Sequence, residues 1–339
     1  MHAREGELIE NKDDIIFDVK GLIHPPNKII AFPRFIPTTK GNRTRRNFKY
    51  EKIYNLKERF KFLKEKAPEL ITYDPIFDET LCEVPTKNII KHYNPIEKFE
   101  KLRNLRETTD LEKKAVELLC ILQEKADIPW KSIGISGSIL VGLSNLKSDI
   151  DPVIYGTKNG VKAYRALEKI LKEDNTKLKA YTRKGLENLF GFRSKDTQMN
   201  LNDFLGVESR KAFQGTFLKT DFFIRFVKDW NQVNEQYGDI QYKNCGETKI
   251  SATVIDDSEA LFTPCTYDVK NLRIIEGNKN KSIKEIVSFR GRFCQQALNG
   301  EKIIAQGKIE EVKNKHTNTL HYRLILGSKP TDYMVLSKG

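Results

Sequence analysis

Cysteine is scarce and dispersed. The five residues (Cys82, Cys120, Cys245, Cys265 and Cys294) form no C-x-x-C pair and have no neighbouring histidine at a zinc-ligand spacing. An odd number without an export signal argues against a disulfide framework, so reduced packing thiols are expected. Histidine is equally thin, with His2, His24, His92, His316 and His321 too scattered for a histidine metal centre. No window approaches the roughly eighteen apolar residues of a membrane helix, and the charged start MHAREGELIENKDD lacks the apolar stretch of a secretory leader. A cytoplasmic protein with no membrane partner is expected. The P-loop ending Gly-Lys-Ser/Thr is missing, as is a G-x-G-x-x-G turn after a strand, so neither common phosphate fingerprint applies.

What the chain has is length and positive charge. Its 339 residues carry 59 Lys and Arg against 46 Asp and Glu, a formal charge of +13, with 39% apolar residues to build cores. That size fits two or three domains. The excess is concentrated at residues 40–66 (KGNRTRRNFKYEKIYNLKERFKFLKEK), where eleven cations face three glutamates for a net +8. Ile53, Leu56, Phe60 and Leu63 recur at helical spacing there, and Phe48, Tyr50, Tyr54, Phe60 and Phe62 interleave with the cations. Such a surface suits a polyanion, because neutralised phosphates release counterions and bases stack on exposed rings. The plainer reading is a solvated helix face with its aromatics turned inward.

Upstream, IIFDVKGLIHPPNKIIAFPRFIP reads as two or three strands, with Pro33 and Pro37 expected at edges or strand ends. A helix follows at TTDLEKKAVELLCILQEKADIP, opened by a Thr109–Glu112 capping box and closed before Pro129. The composition divides the chain into a mixed N-terminal domain (1–105), a central core (106–236) and a β-rich C-terminal domain (237–339), an α+β multidomain protein. The last of these, with short β-like runs between Gly, Asn and Asp turns, is expected to be a small barrel or sandwich. In it Arg290, Arg292 and Phe293 form a basic-aromatic spot, a candidate contact for nucleic acid. The basic stretch KLKAYTRKGLENLFGFRSKD in the core is a candidate acceptor groove or a surface helix pair.

The chemistry is concentrated in residues 131–156, KSIGISGSILVGLSNLKSDIDPVIYG. On a strand, residues two apart point the same way about 6 to 7 Å apart, so Asp149 and Asp151 share a face while Ile150 and Ile154 take the other. Two like charges on one face are unfavourable unless a cation sits between them. Gly137 would let the backbone approach a ligand, and Ser138 would open a short helix that exposes N–H donors and a hydroxyl to a phosphate. In a later strand, Phe217 to Phe226, alternation places Lys219, Asp221 and Arg225 together, opposite Leu218, Phe222, Ile224 and Phe226.

Gly137-Ser138, then Ser148-Asp149-Ile150-Asp151, then Asp221 resembles the signature of the DNA polymerase β-like nucleotidyltransferase superfamily over roughly residues 108–230. The chain also resembles, over its whole length, archaeal proteins described as predicted nucleotidyltransferases. The resemblance implies a nucleotidyltransferase core, a mixed sheet with flanking helices. It implies two magnesium ions, replaceable by manganese, held by Asp149, Asp151 and Asp221, with Asp221 assisting deprotonation of the attacking hydroxyl. Gly137 and Ser138 would hold the phosphates of an NTP, and Lys219 and Arg225 are added to them from alternation. The reaction implied is transfer of an NMP to a hydroxyl with release of pyrophosphate, on a nucleic acid end, RNA before DNA. The alternatives are AMP or NMP transfer to a protein, as in antitoxin-type regulators, and a nucleic-acid-binding protein without catalysis. Two departures from the pattern stand out: Pro152 replaces the usual aliphatic residue, which requires an unpaired ladder position or a bulge there, and the turn after Ser138 lacks the arginine of the tRNA-terminal transferases.

Overall fold

The computed structural model describes residues 1–277 and 281–337. It is mixed α+β with several sheets. Two compact units divide the chain: residues 1–72, 81–180 and 212–234 form the first, and residues 73–80, 181–211 and 235–339 the second. Most of the first two domains expected from composition thus falls in one unit, while residues 181–196 of the basic stretch (177–196) belong with the C-terminal residues. Part of the expected third domain, residues 278–280 and 338–339, lies outside the described residues.

The first unit opens with β1 (Leu8–Asn11), β2 (Ile16–Val19), β3 (Lys28–Pro37), β4 (Arg43–Arg45) and β5 (Phe48–Lys52), followed by α1 (Leu56–Lys66), the start of β6 (Ile71–Asp74), most of β7 (Glu79–Pro85) and β8 (Ile89–Tyr93), residues 73–80 being counted with the second unit. The strands run β4-β5-β3-β2-β1-β8, with β7 added along β3. Pro37 ends β3 as expected. Pro33 lies in mid-strand, tolerated because β7 pairs only with Lys28–Ile30 on that edge and β5 begins at Phe35. On the other edge Ile16 faces Phe35 and Phe17 faces Pro33, so Arg34 is the extra residue of a β-bulge.

Next come α2 (Pro95–Asn104), α3 (Asp110–Ala126), β9 (Ile133–Ile135), the one-turn α4 (Gly137–Leu140), β10 (Pro152–Tyr155), α5 (Thr157–Ile170) and β11 (Leu178–Lys179). Thr109 and Glu112 form the capping box of α3. β12 (Gln214–Phe217), β13 (Thr220–Phe223) and β14 (Arg225–Val227) complete the unit. β10 is the middle strand of three, antiparallel to β9 and parallel to β14, and all four of its residues are buried. Leu8, Ile16, Phe35, Tyr50 and Tyr93 of the large sheet share a core cluster with Leu140, Val141 and Leu143, which lead out of α4. That shared core is why the first hundred residues and the aspartate strand make one unit.

The second unit contains α6 (Arg183–Arg193), α7 (Leu201–Glu208) and β15 (Ile240–Asp256), β16 (Cys265–Gly277), β17 (Ile283–Ser288), β18 (Lys302–Asn314), β19 (Thr319–Leu326) and β20 (Tyr333–Leu336). Their order is β15-β16-β17-β19-β18-β20, and β15 also pairs with β18, so the sheet curls into a half-barrel. The expected basic-aromatic contact is not an open surface. Phe293 is buried, and Arg290 and Arg292 both pair with Asp196. Among the described residues no helix is long and apolar enough to cross a membrane.

Candidate active site

Asp149 and Asp151 flank Ile150, which is fully buried, as is Ile154. Ile150 N–H donates to Asp221 O at 2.9 Å and its carbonyl accepts from Phe223 N–H at 3.0 Å. The next ladder bond would come from residue 152, which is proline and has no N–H, so pairing stops and resumes at Val153 opposite Arg225. Pro152 therefore occupies the first position of β10, where a strand tolerates it. The offset between the two segments is constant from Ile150–Phe222 to Val153–Arg225, which sets Asp149 beside Asp221 and Asp151 beside Phe223.

One oxygen of Asp151, Oδ2, is buried without a hydrogen-bond partner, and so is Oγ of Ser138. Gly137 (φ +61°) makes the close approach possible, because a Cβ there would lie 1.8 Å from Asp151 Oδ2. Ser136 fixes the turn at both ends of its backbone and side chain: its N–H donates to Asp151 O at 2.8 Å and its hydroxyl to Gly6 O at 2.6 Å. Ser138 itself is fully buried, so its hydroxyl is not the open donor expected from sequence. The loop from α4 to Asp149 is clamped by Arg43, whose Nη1 donates to Leu143 O at 2.5 Å and Ser148 Oγ at 3.0 Å.

Lys52, Arg34 and Arg43, cations that the alternation patterns did not single out, come from the large sheet. Lys52 Nζ lies 3.6 Å from Asp149 Oδ1; its side chain is 4% exposed and that of Asp149 is 40% exposed. Lys20 pairs with Asp18 and Glu5, each at 2.9 Å, Arg59 approaches Asp18 at 3.9 Å, and Arg225 pairs with Glu5. Burial alone would raise the Asp149 carboxyl, but Lys52, the backbone N–H of Asp149 and Arg34 outweigh it and hold it below its ordinary value. For Asp151, burial and then the charge of Asp149 win over Lys52, Arg34 and Arg225, and push it up to about 6. Asp18 is held well below the carboxylate range: burial works against this, and Lys20, Arg225, Arg59 and Arg34 overcome it.

The strand expected from Phe217 to Phe226 is broken. Leu218 and Lys219 both have positive φ (47° and 64°) and form a two-residue hairpin turn between β12 and β13. Lys219 is exposed at that turn and is not on the aspartate face. Arg225 is on that face by register, but its guanidinium is engaged with Glu5. Asp221 is exposed, and among the described residues no three His, Cys, Asp or Glu side chains are grouped as a metal site would need. The structure brings together Asp149, Asp151, Gly137 and Ser138, leaves Asp221 as a register neighbour, and adds Lys52, Arg34 and Arg43. A buried carboxylate oxygen without a partner, set against a glycine that leaves room for nothing larger, fits a hard cation with oxygen ligands such as magnesium or manganese.

Fold and site together define a mixed α+β protein with a partly unpartnered aspartate pair at the start of a buried strand. The chain is 34% identical over 337 residues to Uncharacterized protein MJ1086 of Methanocaldococcus jannaschii, a match that covers 97% of this chain and 96% of that one, and it belongs to the same family. No family model matches it, and no solved structure does.

Proposed function

We propose that the protein is a metal-dependent nucleotidyltransferase that moves an NMP from an NTP to a hydroxyl, with a nucleic acid, RNA first, as acceptor. The observation that carries this reading is the pair of buried polar atoms without partners, Asp151 Oδ2 and Ser138 Oγ, beside Gly137. Buried oxygens left this way are uncommon in a folded protein and point to a ligand. Asp149 and Asp151 would hold magnesium, which when bound supplies a Lewis acid for phosphoryl transfer. Asp149 is already ionised through Lys52, and Asp151 becomes so above about pH 6.

In the reaction the acceptor oxygen bonds to the α-phosphorus, the bond from that phosphorus to the bridging oxygen breaks, and pyrophosphate leaves. Exposed Asp221 is assigned to accept the hydroxyl proton. The acceptor would follow the surface of residues 40–66. Arg43, Lys52 and Arg59 there are buried, while Arg46, Lys49, Lys57, Lys61 and Lys64 are exposed beside Phe48 at 54% and Tyr54 at 42% exposure.

The test is incubation of the purified protein with magnesium, each of four α-labelled NTPs, and RNA, DNA or protein acceptors, beside Asp151→Asn. Label on RNA that is lost in the variant supports the reading. Label on protein alone moves the acceptor to the protein class, and no label with any NTP or acceptor removes the transferase.

A further inference from the structure

Lys52 stands out among the cations of the first unit. Lys20, Arg59 and Arg225 are committed to Asp18 and Glu5, acids outside the aspartate pair. Lys52 has one ion-pair partner among the described residues, Asp149, at a loose 3.6 Å. Its stem is enclosed, and its ammonium also lies 5.1 Å from the centre of the Tyr54 ring. Arg34, turned by its β-bulge, reaches the same ring at 5.0 Å and uses Nη1 to donate to Ile53 O at 3.3 Å. Bulges re-aim side chains in this way beside functional sites. Two cations thus flank one half-exposed tyrosine next to the aspartates, and neither is fully saturated by carboxylates.

Without metal, Lys52 supplies the positive charge that Asp149 needs. When a divalent ion arrives, that ion and an enclosed ammonium become like charges a few ångströms apart, a cost that falls if an anion comes between them. Lysine suits such an exchange, since its charge rides on a flexible stem.

We propose that Lys52 is the stand-in cation of the metal-free site and, together with Arg34 across Tyr54, the binding site for the triphosphate. The N-terminal sheet would then hold the polyphosphate in place of the short Gly-Ser helix. The assignment rests on the transferase reading for its ligand, but its physical core is separable.

Lys52→Met keeps the apolar stem and removes the charge. Manganese titrated into the protein without nucleotide should bind Lys52→Met several-fold more tightly than wild type, because the competing ammonium is gone. Magnesium tripolyphosphate, followed by calorimetry, should bind the same variant about tenfold more weakly, the scale of a lost charged contact. Lys52→Arg should recover most of that loss. Arg34→Gln, a change at a half-buried position, should weaken tripolyphosphate alone and leave manganese affinity in place. Thermal melts of each variant confirm the fold.

Equal tripolyphosphate affinity in wild type and Lys52→Met overturns the proposal, as does manganese affinity that fails to rise. The transferase reading fails differently, by absence of label transfer from all four NTPs while both titrations behave as stated. Should transfer proceed with an unchanged KM for NTP in Lys52→Met, the proposal falls and the transferase stands.

Discussion

Two buried charged clusters, one in each unit, differ in how completely they are closed. In the second unit Lys211 is fully enclosed and donates to Glu208 at 2.6 Å, Gln296 at 2.7 Å and Arg292 O at 2.8 Å, while Glu208 also accepts from Arg193 at 2.6 Å. All three ammonium protons of Lys211 are used. In the first unit the aspartate pair has fewer partners than it has oxygens, with Asp151 Oδ2 and Ser138 Oγ unmatched. A closed network serves stability, and an open one holds a ligand or pays for nothing.

Four measurements break or sharpen that contrast. The largest effect is expected for Asp151→Asn, which should lower magnesium-dependent transfer by about a thousandfold or more, roughly 4 kcal/mol, yet leave the melting temperature unchanged or higher, because the carboxyl is raised by burial and Asn removes that strain. A drop in both would make the open cluster structural. Next, Lys211→Met strips the closed network and should destabilise the second unit by about 3–5 kcal/mol in urea unfolding, since it leaves Glu208 underpaired, with transfer per folded molecule unaffected.

The third concerns pH. His24 Nε2 bonds Ala3 O at 2.7 Å, which fixes the proton there, and Nδ1 accepts from Ile30 N–H at 3.2 Å. Burial lowers this histidine from 6.5 to about 4, against the help of Ala3 and Glu7. The unfolded chain therefore takes up the proton first as pH falls. Stability from this group is complete above about 6.5 and lost toward 4, about 2 kcal/mol between pH 7 and 4.5. Urea midpoints across that range should show a shallower decline in His24→Gln than in wild type. Smallest is Asp221→Asn: from its exposed position beside the pair it should cost about tenfold to a hundredfold in transfer, less than Asp151→Asn. Equal losses would mean that the three acids work as one set, as the superfamily resemblance implies.

The sequence made some of this legible and hid the rest for identifiable reasons. The Asp149-Ile150-Asp151 alternation and the Thr109 capping box are local patterns, and both appear in the fold. The hairpin at Leu218–Lys219 escaped because neither residue favours positive φ, so the Asn-Gly or Asp-Gly signal of such a turn is absent. Unbroken alternation puts Lys219 on the aspartate face, and the hairpin turns it away. Lys52, Arg34 and Arg43 escaped because their placement depends on strand register and on a bulge, which long-range packing decides. Within the basic window, charge counting could not tell an ion pair in the site from a solvated lysine.

The Arg43 clamp on Leu143 O and Ser148 Oγ spans 105 positions of sequence. A fragment cut to begin at the familiar motif, near residue 106, would keep both aspartates and lose the guanidinium that braces the segment delivering them. Anyone seeking a minimal piece of this molecule that keeps the aspartate pair in place should retain the leading strands, since the motif travels alone but its architecture does not.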